Sequence, residues 1–168
     1  MSIHFISGGA RSGKSRYAEA WAASLAPSPY YLATSRPGDA EMAARIAHHQ
    51  TSRGSLFYTI EAASYPVVPL RHLPPRSVIL LDCLTVWLAG RRLDQAADEV
   101  KMWLAAAAGR QHELLIVSND INEELLPESE EVHAYMQTLA SLHRQIIHEA
   151  ASVAQLRAGI PTYWRREA

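Results

Sequence analysis

The segment that most constrains this chain is its N-terminal one. Ile3-His4-Phe5-Ile6-Ser7 is a short apolar run that breaks into Gly8-Gly9-Ala10-Arg11-Ser12-Gly13-Lys14-Ser15, a complete G-x-x-x-x-G-K-S loop. A strand-like segment precedes it and a helix-like segment, Lys14–Ala26, follows. The glycines let several amide N–H groups converge on a phosphate, and the positive end of the following helix adds to their field. Lys14 reaches the β/γ-phosphates as a point charge, and the Ser15 hydroxyl is placed to ligate Mg²⁺. A chain that starts this way is expected to lay a strand in a sheet, turn tightly at its carboxyl end and bind a nucleoside triphosphate there.

The remaining pattern agrees with that beginning. Strand-like runs at Ile3–Ser7, Tyr30–Ala33, Leu56–Ile60, Val78–Leu81, Leu114–Ser118 and, more weakly, Val153–Ala158 alternate with helix-like segments. The helices are expected at Lys14–Ala26, Ala40–Gln50, Leu84–Ala89, Leu93–Ala107 and Val132–Ala150. In the last, Val132, Tyr135, Leu139, Leu142 and Ile146 recur at three- and four-residue steps and form one apolar stripe. Pro127 just upstream suits a helix start. Ala62–Arg76, with four prolines, reads as a loop or short edge element. Such alternation predicts an α/β fold, P-loop NTPase-like, with a mainly parallel sheet flanked by helices. Residues 1–168 are expected to form a single domain.

Composition sets the function classes aside one by one. The formal net charge of −1 gives no footing for a bulk nucleic-acid or membrane-surface protein. The single cysteine, Cys83, excludes an intramolecular disulfide framework and suits a reducing compartment. No secretory pattern stands before the first strand, and no apolar stretch is long enough to span a bilayer. A cytoplasmic enzyme is the expectation.

Two further segments carry chemistry. Val78-Ile79-Leu80-Leu81-Asp82 is a buried-strand pattern ending in an acid, the arrangement that holds Mg²⁺ beside a phosphate-binding loop. An Asp after a strand is also a common helix cap, but the intact loop upstream favours the metal role. In Glu41–Arg53, residues Glu41, Arg45 and His49 are four apart and therefore neighbours on a helix surface. Adjacent His48 and His49 point about 100° apart, so one of them at most faces a nucleotide squarely. Periodicity does not choose between them. A neutral imidazole near Arg45 and Arg53 suits a nucleophile toward phosphorus; a solvated helix face with a Glu–Arg pair is the plainer reading. One-residue spacing is poor for metal chelation by a helix.

Taken together, Gly8–Ser15, Ala33-Thr34-Ser35, Glu41–Arg53 and Leu80-Leu81-Asp82-Cys83-Leu84-Thr85 resemble the bifunctional adenosylcobinamide kinase/adenosylcobinamide-phosphate guanylyltransferase family of cobalamin biosynthesis. The resemblance is dense through Trp87. It implies a kinase step, in which a γ-phosphoryl passes to the aminopropanol hydroxyl of adenosylcobinamide, and a guanylyl transfer through a GMP–histidine. By position it makes His49 the guanylyl acceptor and, with Lys14, the catalytic pair. Gly8, Gly9, Ala10, Arg11, Ser12, Gly13, Lys14 and Ser15 would hold the triphosphate, and Ala33, Thr34 and Ser35 would approach the nucleotide. Gln50, Thr51, Ser52, Arg53, Glu61 and Asp82 fall where the family contacts GTP, with Ser15 and Asp82 toward Mg²⁺. GTP is the implied nucleotide, with ATP as an alternative in the kinase step. The partners implied are a corrinoid substrate and copies of the chain itself, a homo-oligomer for which the family suggests a trimer.

Beyond the fifth strand the pattern changes. Asn119, an acid and Pro127 are kept, the family's loop glycines are absent, and His143 stands near its helix asparagine. Gly159-Ile160-Pro161 again matches the usual ending. The residues alone also admit a P-loop kinase or nucleotidyltransferase with another acceptor, or a non-catalytic GTP-binding module.

Overall fold

A computed structural model describes residues 1–35, 56–121 and 129–166. Along the chain the elements are β1 (Ser2–Gly8), α1 (Lys14–Leu25), β2 (Tyr30–Ala33), β3 (Tyr58–Glu61), α2 (Val67–His72) and β4 (Val78–Asp82). They continue with α3 (Leu84–Ala89), α4 (Leu93–Gly109), β5 (Glu113–Asn119), α5 (Glu130–Glu149), β6 (Ser152–Arg157) and β7 (Ile160–Arg166). The seven strands form one sheet in the order β3-β2-β4-β5-β1-β6-β7, parallel except for the antiparallel β6–β7 pair.

The alternation of side chains along a strand explains the layers. In β1, Ile3 and Phe5 face one side of the sheet and Ile6 the other; in β4, Ile79 and Leu81 oppose Leu80; in β5, Leu114 and Ile116 oppose Leu115 and Val117. Both faces of these central strands are covered, which is why β4 and β5 read as continuous apolar runs. On one face, Ala18 and Ala22 of α1 pack against Ile6, Leu80, Leu115 and Val117. On the other, Trp87 of α3, Trp103 of α4 and Leu139, Leu142 and Ile146 of α5 are fully or almost fully buried. The Trp87 and Trp103 rings meet edge-on at 4.3 Å, a favoured aromatic geometry.

Three features depart from the sequence expectation. The Ala62–Arg76 stretch contains a short helix, α2, whose Leu70 is fully buried, so this region is neither a loop throughout nor an edge strand. A seventh strand, β7, follows β6 through a two-residue turn at Ala158 and Gly159, with φ of 49° and 80°. Positive φ at both central positions is what a tight hairpin turn of the I′ kind requires. The third strand is shifted toward its carboxyl end, Tyr58–Glu61 in place of Leu56–Ile60. The helix expected at Ala40–Gln50 and Pro127 lie outside the described residues.

α5 begins two residues before its apolar stripe because Ser129 caps it, its hydroxyl accepting from the Val132 N–H, and Glu130 and Glu131 complement the helix dipole. At the other end Arg165 of β7 donates to the carbonyls of Ile147 and Ala150, both at 2.8 Å. The sheet edge thereby holds the last turn of the helix.

Candidate functional site

All the parallel strands point their carboxyl ends toward one rim, where ligands of open α/β sheets bind. At that rim a cavity of about 750 Å³ is lined by residues 10–16, Asp82, Cys83 and Asn119. Its floor is the turn between β1 and α1. Arg11 and Gly13 both take positive φ, 57° and 87°, and these two reversals curl the chain. Gly8 is required on contact grounds as well: a Cβ there would come within 2.7 Å of the Leu156 carbonyl of β6. From the far side of the turn, the Gly159 N–H donates to the Ser12 carbonyl at 2.8 Å.

Gly13 is also the residue before α1, and no side chain caps that helix; its first turn carries no acid. The first amides of a helix have no partner within it, so here they present an uncompensated positive end to the cavity. Lys14 lies back across the turn, its Nζ donating to the Gly9 carbonyl at 3.2 Å. Arg11 and Arg16 add two more cations to the wall, against the single carboxylate of Asp82. Ser12 is buried, and its hydroxyl has no hydrogen-bond partner among the described residues. Uncapped amides, three cations and an unsatisfied hydroxyl around one volume fit a polyphosphate.

The acid opposite is fixed from two sides. Asp82 ends β4 and accepts from the Tyr31 hydroxyl at 2.9 Å through Oδ2. Thr34, just past β2, donates its amide to the Asp82 carbonyl at 3.2 Å and its hydroxyl to the Cys83 carbonyl at 2.8 Å. Ser15 and Asp82 share the cavity wall, and no group of three or more His, Cys, Asp or Glu side chains gathers around a metal position among the described residues. That sparse set suits Mg²⁺, which takes one or two protein oxygens together with phosphate oxygens and water.

Cys83 also lines the cavity. Burial and the adjacent Asp82 carboxylate push its thiol up to about 12, so it is protonated at neutral pH and no nucleophile.

The expected site residues distribute as follows. Residues 10–15 and Asp82 meet around the cavity. Gly8 and Gly9 shape the turn behind it. Ala33 and Thr34 are buried, and Thr34 acts by holding Asp82 and Cys83 in place rather than by lining the wall. Ser35 is half-buried beyond them. Glu61 is exposed at the end of the edge strand β3; Ala33 pairs with both Glu61 and Asp82. Two strand spacings, roughly 10 Å, therefore separate Glu61 from Asp82. His48, His49, Gln50, Thr51, Ser52 and Arg53 lie outside the described residues.

Sequence reasoning did not place Cys83, Arg16 or Asn119 at the cavity. Asn119 carried a usable signal, since it ends the apolar run of β5 as Asp82 ends that of β4. β5 lies between the strands bearing the loop and the acid, so Asn119 faces the space between them.

A parallel sheet with a glycine-lysine-serine turn opening a helix at a central strand, and an acid ending a strand two positions away, defines a P-loop NTPase-type nucleotide-binding protein. Solved structures share this architecture. The flagellar accessory protein FlaH from Methanocaldococcus jannaschii matches with a TM-score of 0.52 at 14% identity, covering 99% of this chain and 79% of that one. A KaiC-like protein from Pyrococcus horikoshii gives 0.53 at 10% identity, covering 92% and 70%. Residues 4–163 match the family described as cobinamide kinase / cobinamide phosphate guanyltransferase, and the chain belongs to that family. Among its curated relatives is the bifunctional adenosylcobalamin biosynthesis protein CobP of Pseudomonas aeruginosa, 34% identical over 93% of each chain. The CobU protein of Salmonella typhimurium, with the same bifunctional description, is 30% identical over 92% of this chain and 95% of its own.

Proposed function

We propose that residues 1–168 form one transferase domain that phosphorylates adenosylcobinamide and then transfers GMP from GTP to the phosphorylated corrinoid through His49. The observation that carries this reading is the coincidence of an intact polyphosphate cavity with family membership along nearly the whole chain.

In the kinase step the acceptor hydroxyl attacks the γ-phosphorus of a bound GTP, or of ATP, and the nucleoside diphosphate leaves. Such a transfer asks the protein mainly for positioning and charge neutralisation. Here the α1 amides and Lys14 hold the phosphate chain from one side, and Arg11 and Arg16 add positive charge at the mouth. Ser15 and Asp82 would hold Mg²⁺, which when bound neutralises charge on the phosphate oxygens. In the guanylyl step an imidazole nitrogen of His49 attacks the α-phosphorus and pyrophosphate leaves. A phosphate oxygen of the corrinoid then attacks the same phosphorus and releases the histidine. The protonated Cys83 thiol offers no competing nucleophile within the cavity. A cytoplasmic homo-oligomer, a trimer by resemblance, completes the reading; among the described residues no helix is long and apolar enough to cross a membrane.

The test is covalent labelling. Incubation with α-labelled GTP and Mg²⁺ is expected to leave acid-labile, base-stable label on the protein, and His49→Ala is expected to abolish it. Label lost in His48→Ala but kept in His49→Ala assigns the other imidazole. Tight GTP binding with no label on the unaltered protein refutes the covalent route and leaves a binding module.

A further inference from the structure

At the cavity rim β4 stops before β5 does. Asp82 pairs with Val117, so the Asn119 amide, two residues further on, has no β4 carbonyl to meet. Thr85 of α3 takes that place, its Oγ1 accepting from the Asn119 N–H at 2.8 Å. The same Oγ1 lies 3.0 Å from Ser118 Oγ, and Ser118 Oγ lies 2.7 Å from Nε2 of His143 on α5. Ser118 is fully buried and Thr85 nearly so; the His143 ring packs on Phe5 at 4.9 Å. Tyr135, two turns earlier on α5, donates its hydroxyl to the Thr85 carbonyl at 2.7 Å.

Proton order gives the chain of contacts a direction. Thr85 Oγ1 accepts from the Asn119 N–H, and Ser118 Oγ is the one acceptor for its own proton among the described residues; Thr85 therefore donates to Ser118, and Ser118 to His143 Nε2. A neutral ring with its hydrogen on Nδ1 completes this order. The reverse order would leave the Thr85 proton with no acceptor among the described residues. On its other flank the rim of β5 is pinned to the phosphate loop: the Asp120 N–H donates to the Gly8 carbonyl at 3.1 Å, and the Asp120 carboxylate accepts from Gln155 at 2.9 Å. Three apolar side chains would join α5 to the sheet without a buried polar chain, which is stabilising only when every member is satisfied. What the polar version adds is a defined position for the residue at its end, and that residue lines the cavity.

We propose that His143 is a positioning residue of the nucleotide cavity, holding Asn119 at the wall through Ser118 and Thr85. The inference rests on the reading of that cavity as a triphosphate site.

Two measurements test it. Nitrogen-15 NMR of the histidine rings in the intact protein at neutral pH is expected to show His143 with Nε2 bare and Nδ1 protonated; a proton on Nε2 overturns the relay. GTP affinity in the presence of Mg²⁺ is then measured across variants. Ser118→Ala, Thr85→Val and His143→Phe are each expected to weaken binding about tenfold, the scale of one lost orienting hydrogen bond, and Thr85→Ser to restore it relative to Thr85→Val. In an Asn119→Ala background, His143→Phe is expected to cost less than about twofold, because the ring acts through Asn119. Unchanged affinity in both Ser118→Ala and His143→Phe, or a full tenfold loss in the Asn119→Ala background, overturns the proposal. Failure of the unaltered protein to bind GTP removes the reading of the cavity instead. The ring tautomer, and faster hydrogen exchange at the Asn119 amide in Ser118→Ala, then decide the relay by themselves.

Discussion

Acidification through the imidazole range is expected to cost this fold stability, and His143 sets much of the cost. Burial holds its ring down to about 4, against an ordinary value of 6.5; the Asp120 carboxylate pulls the other way and loses. Between those values the unfolded chain binds a proton that the folded chain refuses. The stabilisation is therefore complete above about pH 6.5, declines as the pH falls toward about 4, and levels off below that. At about 1.4 kcal/mol per pH unit, the gap amounts to about 3 kcal/mol. That is a large share of the 5–15 kcal/mol typical of a domain. The informative variant is His143→Gln, which does not titrate and keeps an acceptor within reach of Ser118. Urea unfolding of both proteins between about pH 8 and about pH 4.5 gives the free energies to compare. Their difference is expected to favour the unaltered protein most at high pH and to shrink by up to about 3 kcal/mol on acidification. Burial also pushes His112 down, its ring lying between the Leu70 carbonyl and the Ser77 amide, and that shift acts on both proteins alike. Parallel curves for the two proteins would refute the reasoning, because the ring would then titrate the same way folded and unfolded.

Gly8→Ala is expected to lower GTP affinity by an order of magnitude or more in titration calorimetry, since the new Cβ meets the Leu156 carbonyl and displaces the loop; wild-type affinity would refute the close approach. Asp82→Asn is expected to raise the Mg²⁺ concentration needed for half-maximal activity, with the Tyr31 contact retained by the amide oxygen. An unaltered Mg²⁺ requirement with a lowered Tm would make Asp82 a purely structural strand end.

Much of this architecture was legible because its signals are local. The apolar runs of β1, β4 and β5 and the turn at Gly8–Ser15 are contiguous, and each is bounded by the residue that ends it. β7 was not legible, since Ile160-Pro161-Thr162-Tyr163-Trp164 contains a proline and leaves Ile160 and Trp164 exposed. Proline is tolerated on an edge strand, and an edge strand needs little apolar patterning. α2 was hidden by the prolines around it, although Pro66 precedes its first turn, where the missing N–H costs nothing. The family resemblance marks Thr85, Asn119 and His143 one by one, but nothing in the sequence connects them. The relay runs through Ser118 across three elements, and no spacing along the chain links its members. The likeness of Asn119 to Asp82, two polar residues each ending a buried strand, was present in the sequence and is the clue that would have placed Asn119 at the rim beside it.

The strand that carries the phosphate loop precedes the other six described strands in the chain and is among the last to be paired. β1 finds its neighbours in β5 and β6, and β5 begins at Glu113. At the usual pace of translation, 5–20 residues per second, an apolar strand with two open edges waits roughly 5–20 s for a partner. The brace from Gly159 to Ser12 arrives later still. The binding loop is therefore synthesised well before the chain can shape it, and for that interval β1 carries two open edges, the condition in which a strand is prone to pair with another chain.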